Sequence, residues 1–310
     1  MELLAAFAGA FVVTLLATPI HMRLFSSRGI VGVDRHKPSH PKIPEMGGIA
    51  VFAGIVVGLL VTGEILRPSV RHVALLALAI VFAVGLADDV LRLRQKAKLA
   101  LLFAAGLPIL LLGDLSLSLL GFVLSPAPLL WGAVLVGMAA AANLTNILEG
   151  FNGEAAGLGV ISTGSLILCG HVLGNATLMA CMVPVCGALL AFLIFNAYPA
   201  KVFPGDTGTL LVGGSIAAAV ILSDTVILGI IVLLPQIVEF FLKSHVRFGG
   251  VSYGPTTVDG DGILSPPPYA SVANILTRTF RLTEPRLVVL IWCFGLLCGL
   301  ASVAVALVLG

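Results

Sequence analysis

The sequence predicts an all-α, polytopic membrane protein with about ten transmembrane helices, both termini on the non-cytoplasmic side and a functional site at the cytoplasmic face. Three observations carry the fold class. Of 310 residues, 59% are hydrophobic and 10% are charged, whereas a soluble domain carries about 25% charged residues. Apolar runs recur along the whole length, many of them near the roughly 17–25 residues that let a helix cross a hydrocarbon core of about 30 Å. The alternating segments of about 10 residues that mark a membrane barrel do not occur.

The runs fall near 3–25, 47–66, 72–87, 99–113, 128–147, 157–173, 177–196, 208–223, 225–243 and 287–309. The first follows Met1 and Glu2 with no basic region and no small-residue cleavage site, so it reads as a membrane helix rather than a removed signal. The fourth is short, and residues 114–128 after it read as an irregular or interfacial segment. No soluble domain stands apart, so residues 1–310 read as one domain, with 244–285 its last cytoplasmic loop. The 35 glycines fit close helix packing. The five cysteines lie in apolar runs without CxxC spacing and read as core residues. A net charge of +2 says little about partners, and no nucleic acid is expected among them.

Orientation follows from the basic residues, which favour the cytoplasmic side. With Met1 outside, Arg23, Arg28, Arg35, Lys37, Lys42, Arg92, Arg94, Lys96, Lys98, Lys201, Lys243, Arg247, Arg278, Arg281 and Arg286 fall inside. Only Arg67 and Arg71 of the 17 fall outside. Asp34, Glu45, Asp88, Asp89, Glu149, Glu154, Asp206, Asp259, Asp261 and Glu284 join the cytoplasmic set. Topology does not require the acidic bias, so one face with both signs of charge suggests a charged cytoplasmic ligand and a metal.

Five stretches carry that face. In Gly85-Leu86-Ala87-Asp88-Asp89, two carboxylates end the third helix, where the helix dipole is already negative. They read either as a solvated end neutralised by Arg92, Arg94, Lys96 and Lys98, or as a pair that binds metal or handles a proton, with Lys96 or Lys98 reaching a phosphate. Asn143 and Asn146 share a helix face at i, i+3, suited to interhelical hydrogen bonds or to ligation of a hard cation. Phe203-Pro204-Gly205-Asp206 is a turn that also sets a carboxylate at a helix N-terminus, where backbone N–H groups can meet a phosphate. The first loop holds Asp34, Arg35, His36, Lys37 and Glu45. In the last loop, His245 and Arg247 precede a strand-like stretch at 251–253, an Asp-Gly-Asp-Gly turn at 259–262 and an amphipathic segment at 269–282. That loop is an interfacial lid or, through Arg247, a phosphate site. His21, His72, His171, Asp114 and Asp224 read as structural.

Taken in order, GLADDVLRLRQKAKL, NLTNILEGFNG, VFPGDT and the early GVDRHK…IPE resemble the polyprenyl-phosphate N-acetylhexosamine-1-phosphate transferase family over nearly the whole chain, and most of all its UDP-GlcNAc–dolichyl-phosphate branch. The resemblance implies transfer of GlcNAc 1-phosphate from UDP-GlcNAc to a polyprenyl phosphate in the bilayer, with release of UMP. It implies Mg²⁺, or Mn²⁺, on Asn146 and Asp206, a lipid-phosphate role for Asp88 and Asp89, and an active-site cation at Lys98. It also implies uracil contacts at Asn152 and Phe203, a pyrophosphate contact at Arg247, and a homodimer. Asp34, Lys37, Glu45, Asn143 and His245 join the expected substrate-binding set. Two departures speak against a peptidoglycan substrate: Asn152 replaces an aspartate of the cell-wall branch, and that branch's histidine cluster is reduced to His245. In the dolichyl branch a histidine directly precedes the arginine that Arg247 matches, whereas His245 stands one position earlier. A transporter or flippase is the competing reading. Polar groups at helix ends rather than mid-membrane, and the absence of an internal repeat, count against it. The expected setting is the plasma membrane of a prokaryote or archaeon.

Overall fold

A computed structural model describes residues 1–310 except 38, 64, 114, 120–121, 125–126, 250–255 and 267–268, with backbone alone described at 119 and 245–249. The chain runs α1 (Glu2–Ser27), β1 (Val31–Val33), β2 (Lys42–Pro44), α2 (Gly48–Val61), α3 (Pro68–Leu91), α4 (Gln95–Ala104), α5 (Leu107–Leu110), β3 (Ser118–Leu119), β4 (Phe122–Val123), α6 (Ala127–Leu148), α7 (Glu154–Val172), α8 (Ala176–Asn196), α9 (Gly205–Leu222), α10 (Val226–Val232), α11 (Leu234–Gly249), β5 (Thr257–Val258), β6 (Leu264–Ser265), α12 (Val272–Thr279) and α13 (Glu284–Leu309). The strands form three two-stranded antiparallel hairpins that cap the bundle.

Local chemistry sets many boundaries. Pro68 opens α3, and Arg92 ends it in the left-handed region at φ 50°, its N–H donating to the Asp88 carbonyl. The Asn175 side chain caps α8 by accepting the Leu178 N–H at 3.0 Å. Ser271 caps α12 through the Asn274 N–H at 2.9 Å.

Among the described residues, seven helices are long and apolar enough to cross a membrane: α1, α3, α6, α7, α8, α9 and α13. The pair α10 and α11, bent by 63°, makes an eighth if taken as one span. The remaining two expected runs take other forms. Helix α2 has 14 residues, and the fourth run breaks at Gly106 into α4 and α5. The chain is a multi-pass integral membrane protein. Helix α9, buried along its length, is the hub, packed by α3, α6, α8 and α2. Glycine permits close approach: a Cβ on Gly85 of α3 would stand 2.7 Å from the Thr207 Cα of α9.

Of the last loop, the Asp-Gly-Asp-Gly segment is the β5–β6 turn, with Asp259 accepting the Asp261 and Ile263 N–H groups. The amphipathic segment is α12. The strand-like stretch at 251–253 and Asp114 lie outside the described residues. Asp224 is structural as expected, accepting the Ser118 N–H at 2.6 Å and its hydroxyl at 3.1 Å.

Candidate active site

A polar cavity of about 540 Å³ opens at one end of the bundle, lined by residues of the first loop, α3, α6, α9 and the loops before α7 and α9. Asp34, Glu45, Asp89, Asn146, Asn152, Phe203 and Asp206 all line it. Four chain segments far apart in sequence therefore meet here.

Its floor is built around a buried lysine. Lys98 of α4 is 3% exposed. Its ammonium lies 2.6 Å from Asp88 Oδ2 and 3.2 Å from Asp206 Oδ2, and donates to Asn146 Oδ1 at 3.0 Å. The Asn146 amide donates in turn to Asp206 Oδ1 and to the Thr209 hydroxyl at 2.9 Å. A buried ammonium needs compensating anions, and Asp88 and Asp206 supply them.

The acidic pair divides its work. Asp88 faces Lys98 and also accepts the Leu93 N–H at 2.8 Å, away from the cavity lining. Asp89 turns across to α9 and accepts the Asp206 N–H at 2.8 Å, the Thr207 N–H at 2.9 Å and the Thr207 hydroxyl. The unfavourable meeting of a carboxylate with the α3 C-terminus is thus offset by the free N–H groups and positive dipole of the α9 N-terminus. Gly205 makes the contact possible: its φ is +67°, and a Cβ there would lie 2.7 Å from Asp89 Oδ2.

The cavity wall is a second network. The Asn152 side chain donates to Asp34 Oδ2 at 3.0 Å, and its N–H donates to Glu284 Oε1 at 2.8 Å. Lys37 pairs with Asp34 and lies 4.0 Å from Glu284 Oε2. Its ammonium sits 4.6 Å from the centroid of the Tyr198 ring. The His36 ring stacks on Phe151 at 4.6 Å. One donor atom from each of Asp34, His36 and Glu284 lies within 4.8 Å of the others, so these three side chains form a possible metal-binding cluster.

Burial pushes the Asp34 carboxyl upward, but Lys37, the Asn152 amide and the His36 N–H outweigh it and hold the group below its ordinary value. Burial lowers the His36 imidazole against the pull of Asp34. Burial, reinforced by Asp89 and opposed by Arg92, raises Glu45. Glu149 is raised to about 8, chiefly by burial and further by Asp206, while the Ala155 N–H it accepts works the other way.

Two expected residues are placed differently. Asn143 is buried and accepts from Gln95 at 2.8 Å, tying α4 to α6. Lys37 borders a neighbouring groove with Arg35 and His40 rather than the cavity itself. His245 and Arg247 fall on the α11 backbone, with their side chains outside the described residues.

Other contributors had no sequence signal strong enough to single them out. Thr207 and Thr209 sit directly after the Gly-Asp turn. Glu239 of α11 accepts the Val272 N–H at 2.7 Å and pairs with Lys243 at 2.8 Å. Lys243 also donates to the Ile147 carbonyl at 2.7 Å, so α11 supports the end of α6 where Asn146 lies.

Comparison with known proteins agrees with this arrangement. Residues 72–224 match glycosyl transferase family 4. A protein of Sulfolobus acidocaldarius named as a UDP-N-acetylglucosamine–dolichyl-phosphate N-acetylglucosaminephosphotransferase is 33% identical, over 94% of this chain and 93% of its own. One of Bacillus subtilis named as an undecaprenyl-phosphate N-acetylglucosaminyl 1-phosphate transferase is 30% identical over 70% of this chain and 62% of its own. A phospho-N-acetylmuramoyl-pentapeptide-transferase of Mycolicibacterium smegmatis is 32% identical over 74% of this chain and 79% of its own. With these motifs, this bundle and these relatives, the chain belongs to glycosyl transferase family 4.

Proposed function

We propose that the protein transfers N-acetylglucosamine 1-phosphate from UDP-N-acetylglucosamine to a membrane polyprenyl phosphate of the dolichyl type, releasing UMP. The observation that carries the reading is the Asp88–Lys98–Asp206–Asn146 network on the floor of a polar cavity at the end of an apolar bundle. Relatives named for this reaction on UDP-GlcNAc and on dolichyl or undecaprenyl phosphate support it. An apolar groove of about 360 Å³ adds a place for the prenyl chain. It is lined along α6, α9, α10 and α11 by residues including Leu144, Ile216, Ile230 and Ile237.

The lipid phosphate is ionised at neutral pH and already nucleophilic. Its oxygen attacks the β-phosphorus of the donor, the bond from that phosphorus to the bridging oxygen of UMP breaks, and UMP departs with the electron pair. The protein's part is to position the reactants and neutralise charge. Lys98 holds Asp88, Asp206 and Asn146 in one constellation, and Asp89 fixes the α9 N-terminus beneath it. Asn152 and Phe203 meet the uracil side of the donor, and Arg247 its pyrophosphate.

The residues present fit a magnesium ion. Asp206 and Asn146 supply oxygen donors, which a hard cation prefers; an oxygen of each now faces the Lys98 ammonium, which a bound ion would displace, and the Asp206 side chain is 28% exposed to the cavity. These two residues would hold Mg²⁺, with Mn²⁺ as a substitute. Bound there, the ion would neutralise the pyrophosphate and the leaving group. The setting we assign is a homodimer in the plasma membrane of an archaeal or bacterial cell.

The test is UMP release by the purified protein in lipid, given UDP-GlcNAc, a polyprenyl phosphate and Mg²⁺, beside Asp206→Ala. Release that needs both lipid phosphate and metal, and is lost in the variant, bears the proposal out. Folded protein that releases no UMP from any UDP-sugar refutes it and favours transport.

A further inference from the structure

The wall network holds more negative charge than its partners satisfy. Asp34 and Glu284 are 3% exposed each, and Lys37 is the one ammonium paired with them among the described residues. The three groups together carry a net charge of about −1 if both carboxylates are ionised. Glu284 shows where the deficit lies. Its Oε1 accepts the Asn152 N–H, while its Oε2 is buried with no hydrogen-bond partner among the described residues. Lys37, at 4.0 Å, is too far to donate to it. A buried carboxylate oxygen left in this state costs free energy that only a cation or a proton removes.

His36 stands on the same spot. Its backbone N–H donates to Asp34 Oδ1 at 3.2 Å. Its ring stacks on Phe151 and supplies the third donor atom within 4.8 Å. Ligands of a first-row ion stand about 2.0–2.2 Å from the metal, so the donors of a tetrahedral set lie about 3.4 Å apart. Closing the set around an ion therefore needs side-chain shifts of less than about 1 Å.

We infer that Asp34, His36 and Glu284 form a second cation site, distinct from the Asn146–Asp206 pair, for a first-row divalent ion of the Mn²⁺ or Zn²⁺ type. One imidazole with two carboxylates suits such ions better than Mg²⁺, which favours oxygen donors and retains its waters. Asp34 and His36 both line the active-site cavity, which gives the ion a path of entry. Lys37 competes for the same negative charge and swings aside when the ion binds. The consequence falls on Asn152, which is bonded to two of the three ligands. An ion here fixes the loop before α7, at the wall of the donor cavity.

The experiment measures binding of Zn²⁺ and of Mn²⁺ alone to chelator-treated, full-length protein in lipid nanodiscs, by calorimetry and by bound-metal analysis. An Asp206→Asn background removes the other site. The expected result is one equivalent bound in that background. Glu284→Gln and His36→Asn should each weaken it at least about 10-fold, and Lys37→Met should tighten it. Gln at 284 keeps an oxygen to accept the Asn152 N–H. The gain expected from Lys37→Met cannot arise from misfolding. Absence of bound Zn²⁺ and Mn²⁺ in the Asp206→Asn background overturns the inference, as does binding indifferent to His36 and Glu284. Neither readout depends on UMP release, so failure here is separable from failure of the proposed reaction.

Discussion

Replacing Lys98 by methionine isolates the energetics of the cavity floor. Methionine keeps most of the side chain's length and apolar stem, so the change removes mainly the ammonium. That ammonium is within 3.2 Å of two carboxylates and 3.0 Å of an amide oxygen. Breaking a buried ion pair by deleting one partner costs about 3–5 kcal/mol, because the other charge stays buried and uncompensated. Asp88, at 10% side-chain exposure, bears most of this, and Asp206, at 28%, is relieved in part by water. The expected loss is therefore about 3 kcal/mol, read as a fall of several degrees in the thermal unfolding midpoint in nanodiscs at low divalent concentration. Two controls follow from the same argument. Lys98→Met with Asp88→Asn should recover most of the loss, since it removes the stranded charge. Millimolar Mg²⁺ should stabilise Lys98→Met more than the parent protein. A Lys98→Met protein within about 1 kcal/mol of the parent, with no response to the second substitution, would refute the view that this lysine neutralises the floor.

Three other outcomes are expected. Glu149 in the folded protein keeps its proton up to about pH 8, whereas the unfolded side chain loses it near pH 4.5, so stability falls as pH rises through that window. Glu149→Gln should therefore match the parent at pH 4.5 and exceed it by about 2–4 kcal/mol at pH 8, as read from unfolding midpoints across pH. Gly85→Ala should destabilise by about 1–3 kcal/mol, because the new methyl meets the α9 backbone rather than a movable side chain. The same displacement shifts Asp206, so UMP release should slow more than donor KM changes. Asn152→Ala should raise the KM for UDP-GlcNAc roughly 10-fold with a smaller effect on kcat, a loss of about 1.4 kcal/mol of binding. An unchanged KM would remove Asn152 from the donor site.

Much of the architecture was legible because bilayer thickness imposes a length on every apolar run. Where the sequence reading and the structure diverge, local packing is the reason. The bend between α10 and α11 falls at Leu233, and Pro235 just beyond it has no N–H to donate back to the Ile231 carbonyl. The break between α4 and α5 likewise falls at Gly106, just before Pro108. Helix α2 ends at Val61, where Thr62 leaves helical geometry at ψ 31°, a local turn that hydropathy alone cannot register. The cavity was legible in its carboxylates and amides, since such groups at membrane helix ends need partners. What was hidden is pairing. Nothing local to Asp89 reveals that it reaches the N–H groups of Asp206 and Thr207, 117 and 118 positions away. Asn143 shared a helix face with Asn146, yet Gln95 draws it into α4–α6 packing. Glu239, inside an apolar run, shows its purpose only once α12 folds against it.

The apolar groove along α6 and α10 opens on the outer surface of the bundle, with Ala140 and Ile230 exposed on its walls. A substrate held there by its tail never leaves the two-dimensional phase in which it diffuses. The reaction rate should then follow the mole fraction of polyprenyl phosphate in the bilayer, not its amount per volume of solution. Diluting the lipid phosphate with inert phospholipid would slow the protein even at constant bulk concentration. Isoprenoid units extending past the groove would remain in ordinary lipid, leaving chain length only weakly sensed.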